Sequence, residues 1–284
     1  MTRSRSASVL LLGALLFTVN QAAWAQESAP AAPITLTPAE METFLLEAKI
    51  VRTRSAGNGV TNSKRVTLSD GRLTHDAHVQ FIDEERAFFE AGKATEVNFK
   101  DSYRFNIAGY RLGRLLGLNV PMSVERSIDG KPSAITWWID DVAMDEQGRV
   151  KNKRNAPNQV RFRGQIQTMR IFDELIQNKD RNQGNIVWTK DWDMWMIDHT
   201  RAFRLNPALL NPAKLERCER GLYEKLRGLN RETLTEVMGK SLTKDEISAL
   251  LARRDAIVKA FEKRIGQAGE SAVLYSEPAP VPAT

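Results

Sequence analysis

Residues of the types that carry chemistry crowd between positions 172 and 204, in FDELIQNKDRNQGNIVWTKDWDMWMIDHTRAFR. Asp180 and Asn185 stand as D-x-x-x-x-N in a polar stretch, and Asp198 comes thirteen residues after Asn185, behind two short apolar runs. A carboxylate so placed can orient a hydroxyl and accept its proton. An amide and a second carboxylate are hard oxygen ligands for a magnesium ion carrying nucleotide phosphates. The order suits movement of a phosphoryl group. The same residue types also build ordinary turns, because Asp, Asn and Gly cap loops in all kinds of proteins, and spacing alone leaves that reading open.

Elements on both sides must hold these groups together. Upstream, Arg161 to Gln177 has the helical period and Lys179 to Asn185 is a polar loop. Downstream, Ile186 to Thr189 and Met194 to Ile197 read as short strands about the turn Lys190-Asp191-Trp192-Asp193. Nearer the N-terminus, Thr37-Pro38-Ala39-Glu40 supplies an N-cap, a proline at N1 and a glutamate at N3 for a short helix ending near Glu47. The strand-like runs Ala48 to Arg54, Lys64 to Ser69 and Leu73 to Ile82 are separated by Ala56-Gly57-Asn58-Gly59 and by Asp70-Gly71, which predicts an antiparallel meander. Phe105, Ile107, Ala108, Leu112, Leu115 and Leu116 recur near the helical period between Ser102 and Leu118, with Gly117 and Pro121 as stop signals. Two more strands, Ser123 to Ile128 and Ala134 to Ile139, lead into the charged stretch Asp140 to Pro157, the expected boundary between a sheet-rich and a helical half. From Pro207 to Gly266 the pattern is helical, with a capping box at Thr243-x-x-Glu246. No repeat of 20 to 50 residues is evident.

The 284 residues are 42% hydrophobic and 27% charged, a globular composition long enough to bury a core. Lys and Arg number 41 against 35 Asp and Glu, giving a net charge of +6. The excess is mild and dispersed, so no nucleic-acid footprint is indicated. Arg3 and Arg5, the apolar run Ala7 to Val19 and Ala23-Trp24-Ala25 before Gln26 form the pattern of an export signal over residues 1–25. The expected location is periplasmic or secreted, with no transmembrane segment after cleavage. Residues 26–36 read as a flexible leader and 276–284 as a disordered tail. The single cysteine, Cys218, falls in a helical pattern and reads as structural. His75 and His78 are three apart on a strand and face opposite sides, which argues against a shared zinc ion. No G-x-S-x-G nucleophile elbow occurs.

Asp180-Arg181-Asn182-x-Gly184-Asn185 and Ile197-Asp198-His199-x-x-Ala202-Phe203 resemble the atypical kinases related to phosphatidylinositol 3-/4-kinases, HipA-like kinases and Golgi casein kinases. The helix Tyr103 to Leu112, with Leu115-Leu116-Gly117-Leu118-x-Val120-Pro121, is similar to the helix these families place before their hinge strands. The resemblance implies an α+β, two-lobed protein-kinase-like fold. Residues 37–140 would form an antiparallel-sheet N-lobe with one main helix, and 141–275 a mostly helical C-lobe. It implies ATP with Mg²⁺ or Mn²⁺ as cofactors, Asp180 as the catalytic carboxylate, and Asn185 and Asp198 as metal ligands. Thr136 to Asp141 would be the strand entering the hinge, bringing Trp138 and Asp140 to the nucleotide, and Gly57-Asn58-Gly59 would be the phosphate-covering loop. That loop is equally a type I′ hairpin turn.

The N-terminal half departs from the family pattern. Gln80 stands where the phosphate-binding lysine is expected, and Asn106 where its partner glutamate is expected. Lys64, Lys100 and Arg104 are the cations that would substitute. Asp198-His199-Thr200 lacks the glycine that often follows at the third place. Three readings follow: an exported kinase acting on a protein or lipid hydroxyl, a pseudokinase or nucleotidyl transferase on the same fold, and a secreted non-catalytic binding protein.

Overall fold

The computed structural model describes residues 36–56, 63–91 and 94–276. The segment read as an export signal, nearly all of the leader and tail, and the Gly57-Asn58-Gly59 turn lie outside the described residues. Helix α1 (Pro38–Glu47) begins with the expected capping box between Thr37 and Glu40. Strands β1 (Lys49–Ser55), β2 (Lys64–Ser69) and β3 (Thr74–Gln80) form the expected meander. The next segment is new: β4 (Asp83–Ala91) and β5 (Ala94–Ser102) make a separate two-stranded hairpin before helix α2 (Arg104–Leu116). Strands β6 (Ser123–Ile128) and β7 (Lys131–Trp137) complete an antiparallel five-stranded sheet of order β1-β2-β3-β7-β6. The last expected strand ends at Trp137, two residues earlier than Ile139.

Alternation of side chains gives this sheet two buried faces. On one, Val66, Ala77, Val79 and Ile135 pack with Phe44 and Leu45 of α1. On the other, Ala134 packs with Ile107 of α2 and with Tyr103, the residue just before that helix. Gly117 ends α2 in the left-handed region at φ 75°, donating its N–H to the Arg114 carbonyl, a conformation glycine adopts without steric cost.

The charged stretch after β7 is ordered, forming β8 (Val142–Asp145) and helix α3 (Glu146–Lys151). Helix α4 (Gln159–Ile176) leads to the polar loop, followed by β9 (Ile186–Thr189) and β10 (Met194–Met196). These two strands join β8 in a three-stranded sheet of order β10-β9-β8. Cys218 sits in a two-residue strand, β11 (Cys218–Glu219), rather than in a helix. Helices α5 (Arg220–Gly228), α6 (Arg231–Met238) and α7 (Lys244–Ala268) follow, the last carrying the Thr243–Glu246 capping box. A short helix, α8 (Glu270–Val273), precedes β12 (Leu274–Tyr275), which runs parallel to β11. Cys218 is fully buried, and burial pushes its thiol up to about 12, consistent with a structural role. Among the described residues no helix is long and apolar enough to cross a membrane.

Candidate functional site

The polar loop after α4 is shaped by its own amides and carboxylates. Asn178 Oδ1 accepts the N–H of Asp180 at 3.0 Å, and Asn182 Oδ1 accepts that of Gly184 at 2.9 Å. The Asp180 carbonyl accepts the Asn182 N–H at 2.8 Å and the Asn185 Nδ2 at 3.1 Å. Turn chemistry and placement of the reactive groups thus use the same residues. Because Asn185 donates through Nδ2, its Oδ1 is the atom left to accept from the cleft that it lines.

The segment that follows β10 and carries Asp198 is tied to this loop. Ile197 donates its N–H to the Asn185 carbonyl at 3.2 Å. Asp198 lies in the left-handed region at φ 54°, an uncommon backbone for a residue with a side chain, and its Oδ1 accepts from the Thr200 hydroxyl at 3.1 Å. Arg181 holds loop and strand in register. Its guanidinium pairs with Asp173 of α4 at 2.9 Å, donates to the carbonyls of Asn185 at 2.9 Å and Ile197 at 2.7 Å, and reaches His199 Nε2 at 3.0 Å. Since arginine only donates, His199 must accept at Nε2 and carry its proton on Nδ1. Burial, reinforced by the Arg181 charge, holds the His199 imidazole well below the usual histidine range, so it is neutral.

A cleft of about 330 Å³ opens between the two sheets. His78, Ser123, Thr136 and Trp138 line it from the N-terminal sheet; Asn185, Val187, Ile197 and Asp198 line it from the other side. The volume falls within the range of small-molecule sites, and the mix of apolar walls with a few polar groups is typical of them. A larger cavity of about 740 Å³ lies by α1 and the β2–β3 turn, near Thr43 and Arg72, away from these groups. The chemistry belongs to the smaller one.

The oxygen donors of Asn185 and Asp198 fit a hard divalent cation. The phosphate side fits less well. Among the described residues no lysine or arginine lines the cleft. Gln80 is buried, and its Oε1 accepts the N–H groups of Phe81 at 3.0 Å and Ile82 at 3.1 Å. Each proposed substitute is engaged elsewhere: Lys64 near Asp129 at 3.7 Å, Lys100 with the buried Glu246 at 2.8 Å, and Arg104 near Asp83 at 3.9 Å. His78 faces the cleft with its imidazole held below the usual range by burial, against the opposing pull of Asp198.

The unexpected β4–β5 hairpin supplies charge at the edge of the site. Glu96 is flanked by Lys179 at 3.7 Å, Arg201 at 3.1 Å and Arg204 at 3.0 Å, and Arg201 also lies 3.9 Å from Asp180. Burial raises the Asp180 carboxyl, with Asp198 adding to the effect and Arg201 opposing it. A third carboxyl, Asp101 at the end of β5, is raised mainly by burial, against the opposing pull of the Thr200 hydroxyl and with further raising contributions from Asp198 and Asp180.

The structure therefore brings Asn185 and Asp198 onto the lining of one cleft, together with Gln80 and Trp138, while Asp180 is not on that lining but is tied to Asn185 through its carbonyl, its carboxyl feeling the Asp198 charge. It does not bring Asp140, whose carboxylate is turned to His75 Nε2 at 2.9 Å while His75 stacks on Trp137. Trp138 is itself covered by the Arg65 guanidinium, 3.8 Å from its ring. Sequence reading gave no role to Asp101, Glu96, Arg201 or Arg204. Arg181, inside the quoted motif, was legible as a position but not as a buried hub.

No protein-family model matches the chain, and no curated protein matches it in sequence. In fold it is similar to the structure of hydra Fam20 with sugar, at TM-score 0.64 and 17% identity over 85% of this chain and 93% of that one. It is similar to the crystal structure of the Golgi casein kinase, at TM-score 0.59 and 14% identity over 84% and 80%. It is also similar to the Helicobacter pylori proinflammatory kinase CtkA, at TM-score 0.50 and 10% identity over 79% and 98%. The chain has an atypical-kinase-like fold, with its antiparallel sheet in the N-terminal part and a mostly helical C-terminal part.

Proposed function

We propose that this chain, folded as an atypical kinase, is an exported phosphotransferase that moves a phosphoryl group from ATP to a hydroxyl of a protein or lipid. The observation that carries the reading is the meeting of Asn185 and Asp198 on one cleft, with Asp180 held in the adjoining loop by hydrogen bonds to Asn178 and Asn185. Asp180 orients the attacking hydroxyl and takes its proton, a task suited to a carboxyl raised above its ordinary range. Asn185 and Asp198 are the residues that would hold the divalent cation, and Arg181 ties the loop to the segment that carries Asp198. When bound, Mg²⁺- or Mn²⁺-ATP supplies the phosphoryl group and the charge neutralisation that Gln80 does not. The two lobes of this reading are residues 37–140 and 141–275.

A second reading, a pseudokinase or nucleotidyl transferase on the same fold, is favoured by the amides at Gln80 and Asn106 and by a cleft that no lysine or arginine lines among the described residues. Following the α- and γ-phosphates of ATP separately divides the two. Transfer of γ-label, lost in Asp180→Asn, supports phosphorylation. Transfer of α-label supports nucleotidylation, and nucleotide binding without transfer of either label supports the pseudokinase. No binding at all returns the chain to the class of secreted binding proteins.

Export is supported by the apolar run Ala7 to Val19 behind Arg3 and Arg5, followed by the small-x-small site Ala23-Trp24-Ala25. The check is N-terminal sequencing of the protein recovered outside the cytoplasm, which is expected to start at Gln26.

A further inference from the structure

Asp101 is a buried carboxylate that the chemistry above leaves unused. The residue is 9% exposed, and its Oδ1 accepts no hydrogen bond from any described residue. Its position is set by the backbone: Ser102, the next residue, donates its N–H to the Thr200 carbonyl at 2.8 Å, holding the end of β5 against the turn that follows Asp198. The Thr200 hydroxyl stands between the two carboxylates, 3.1 Å from Asp198 Oδ1 and within hydrogen-bonding reach of Asp101. Ser102 and Thr200 thus link the end of β5 to Asp198, and the charges of Asp198 and Asp180 both act on the Asp101 carboxyl.

A buried carboxylate oxygen without a donor is costly, and like charges nearby add to the cost. The nearest lysine in sequence, Lys100, is committed to Glu246 at 2.8 Å. A species that brings both positive charge and hydrogen-bond donors would satisfy Asp101. Among the described residues no three carboxylate, imidazole or thiol groups converge at direct metal-ligand distances, so the species is not a bare ion clasped by all three carboxylates. Magnesium releases its waters reluctantly and is commonly held by one or two carboxylates with its remaining waters in place. Those waters are donors.

We propose that Asp101 accepts a hydrogen bond from a water on a divalent cation held by Asn185 and Asp198, and that the chain consequently binds Mg²⁺ or Mn²⁺ without nucleotide. The proposal rests on the metal-site reading of the preceding subsection and adds a positioning residue to it.

The test uses Mn²⁺ alone, with no nucleotide. Binding is counted from the loss of the free-ion paramagnetic resonance signal, and thermal unfolding is followed in parallel. The wild-type chain is expected to bind one Mn²⁺ and to unfold at higher temperature with it. Asp101→Asn is expected to lose roughly 10- to 100-fold in Mn²⁺ affinity, as removal of an outer-shell partner does, while its metal-free unfolding temperature stays equal or rises. Asp101→Ser provides a second variant, with circular dichroism reporting the fold of each. Unchanged Mn²⁺ affinity in a folded Asp101 variant overturns the proposal, and so does a wild-type chain that binds no Mn²⁺ without nucleotide. A Mg²⁺-ATP arm separates the two levels: stabilisation of the wild type that is lost in Asp198→Asn upholds the kinase reading even where the Asp101 result overturns this one.

Discussion

Asn106 Oδ1 accepts the backbone N–H of His199 at 2.7 Å, joining helix α2 to the residue after Asp198. The position where the family pattern expects a glutamate therefore holds an amide with a different task. Gln80 is likewise occupied, capping two backbone N–H groups at the end of β3. Asn106→Ala is expected to cost about 1–3 kcal/mol by leaving a buried N–H unpaired. The paired change Gln80→Lys with Asn106→Glu is expected to lower the unfolding temperature without raising phosphoryl transfer. Calorimetry and a labelled-ATP assay on the single and paired variants check both.

Arg181 is the buried tie between α4, the polar loop and the segment after β10 that carries Asp198, with its side chain 8% exposed. Arg181→Met is expected to destabilise by about 3–5 kcal/mol, because it leaves Asp173 buried without its cation. Adding Asp173→Leu should recover part of the loss, since replacing both partners by apolar groups removes the unpaired charge. Urea midpoints of the two variants measure this.

His199 sets a pH dependence of stability. The native imidazole resists protonation, whereas in the unfolded chain it titrates near 6.5. Its contribution is complete above that value and is lost as pH falls, at up to about 1.4 kcal/mol per pH unit. His78 acts with the same sign. The expected outcome is a fall in the wild-type urea midpoint between pH 7 and 5.5 and a shallower fall in His199→Gln.

Glu96 gathers Lys179, Arg201 and Arg204 under the β4–β5 hairpin. Glu96→Gln is expected to cost about 1–3 kcal/mol by removing the negative charge that three cations face, one of which, Arg201, donates to it at 3.1 Å. It also frees Arg201 for Asp180, 3.9 Å away, which lowers the Asp180 carboxyl and moves the acid limb of activity to lower pH. Hydrogen exchange across residues 94–102 and a pH–rate profile are the measurements.

The sequence carried those parts of the fold that rest on local rules. The meander β1–β3 has alternation and turn residues, α2 and α4 have the 3.6 period, and both capping boxes form where Thr37 and Thr243 place them. Asp180, Asn185 and Asp198 were legible because one loop and one hairpin fix their spacing. The β4–β5 hairpin was not, because its apolar residues do not alternate cleanly: Phe88 and Val97 are 67% and 61% exposed while Phe99 is buried. The two-residue strand at Cys218 pairs with Leu274 and Tyr275, a contact no local pattern encodes. Asp101 and Arg181 gain their roles from neighbours on other elements. Asp140 was placed at the nucleotide by analogy, but His75 draws its carboxylate to the other side.

The central claim is that the cleft bounded by Asn185 and Asp198 holds a metal–nucleotide. Isothermal titration with ATP, with and without Mg²⁺ or Mn²⁺, tests it most directly in the wild type and in Asp198→Asn. The account predicts metal-dependent binding by the wild type and its loss in the variant, with the circular dichroism of the two unchanged. Absence of binding at millimolar ATP with either metal, or equal binding by the variant, would contradict it.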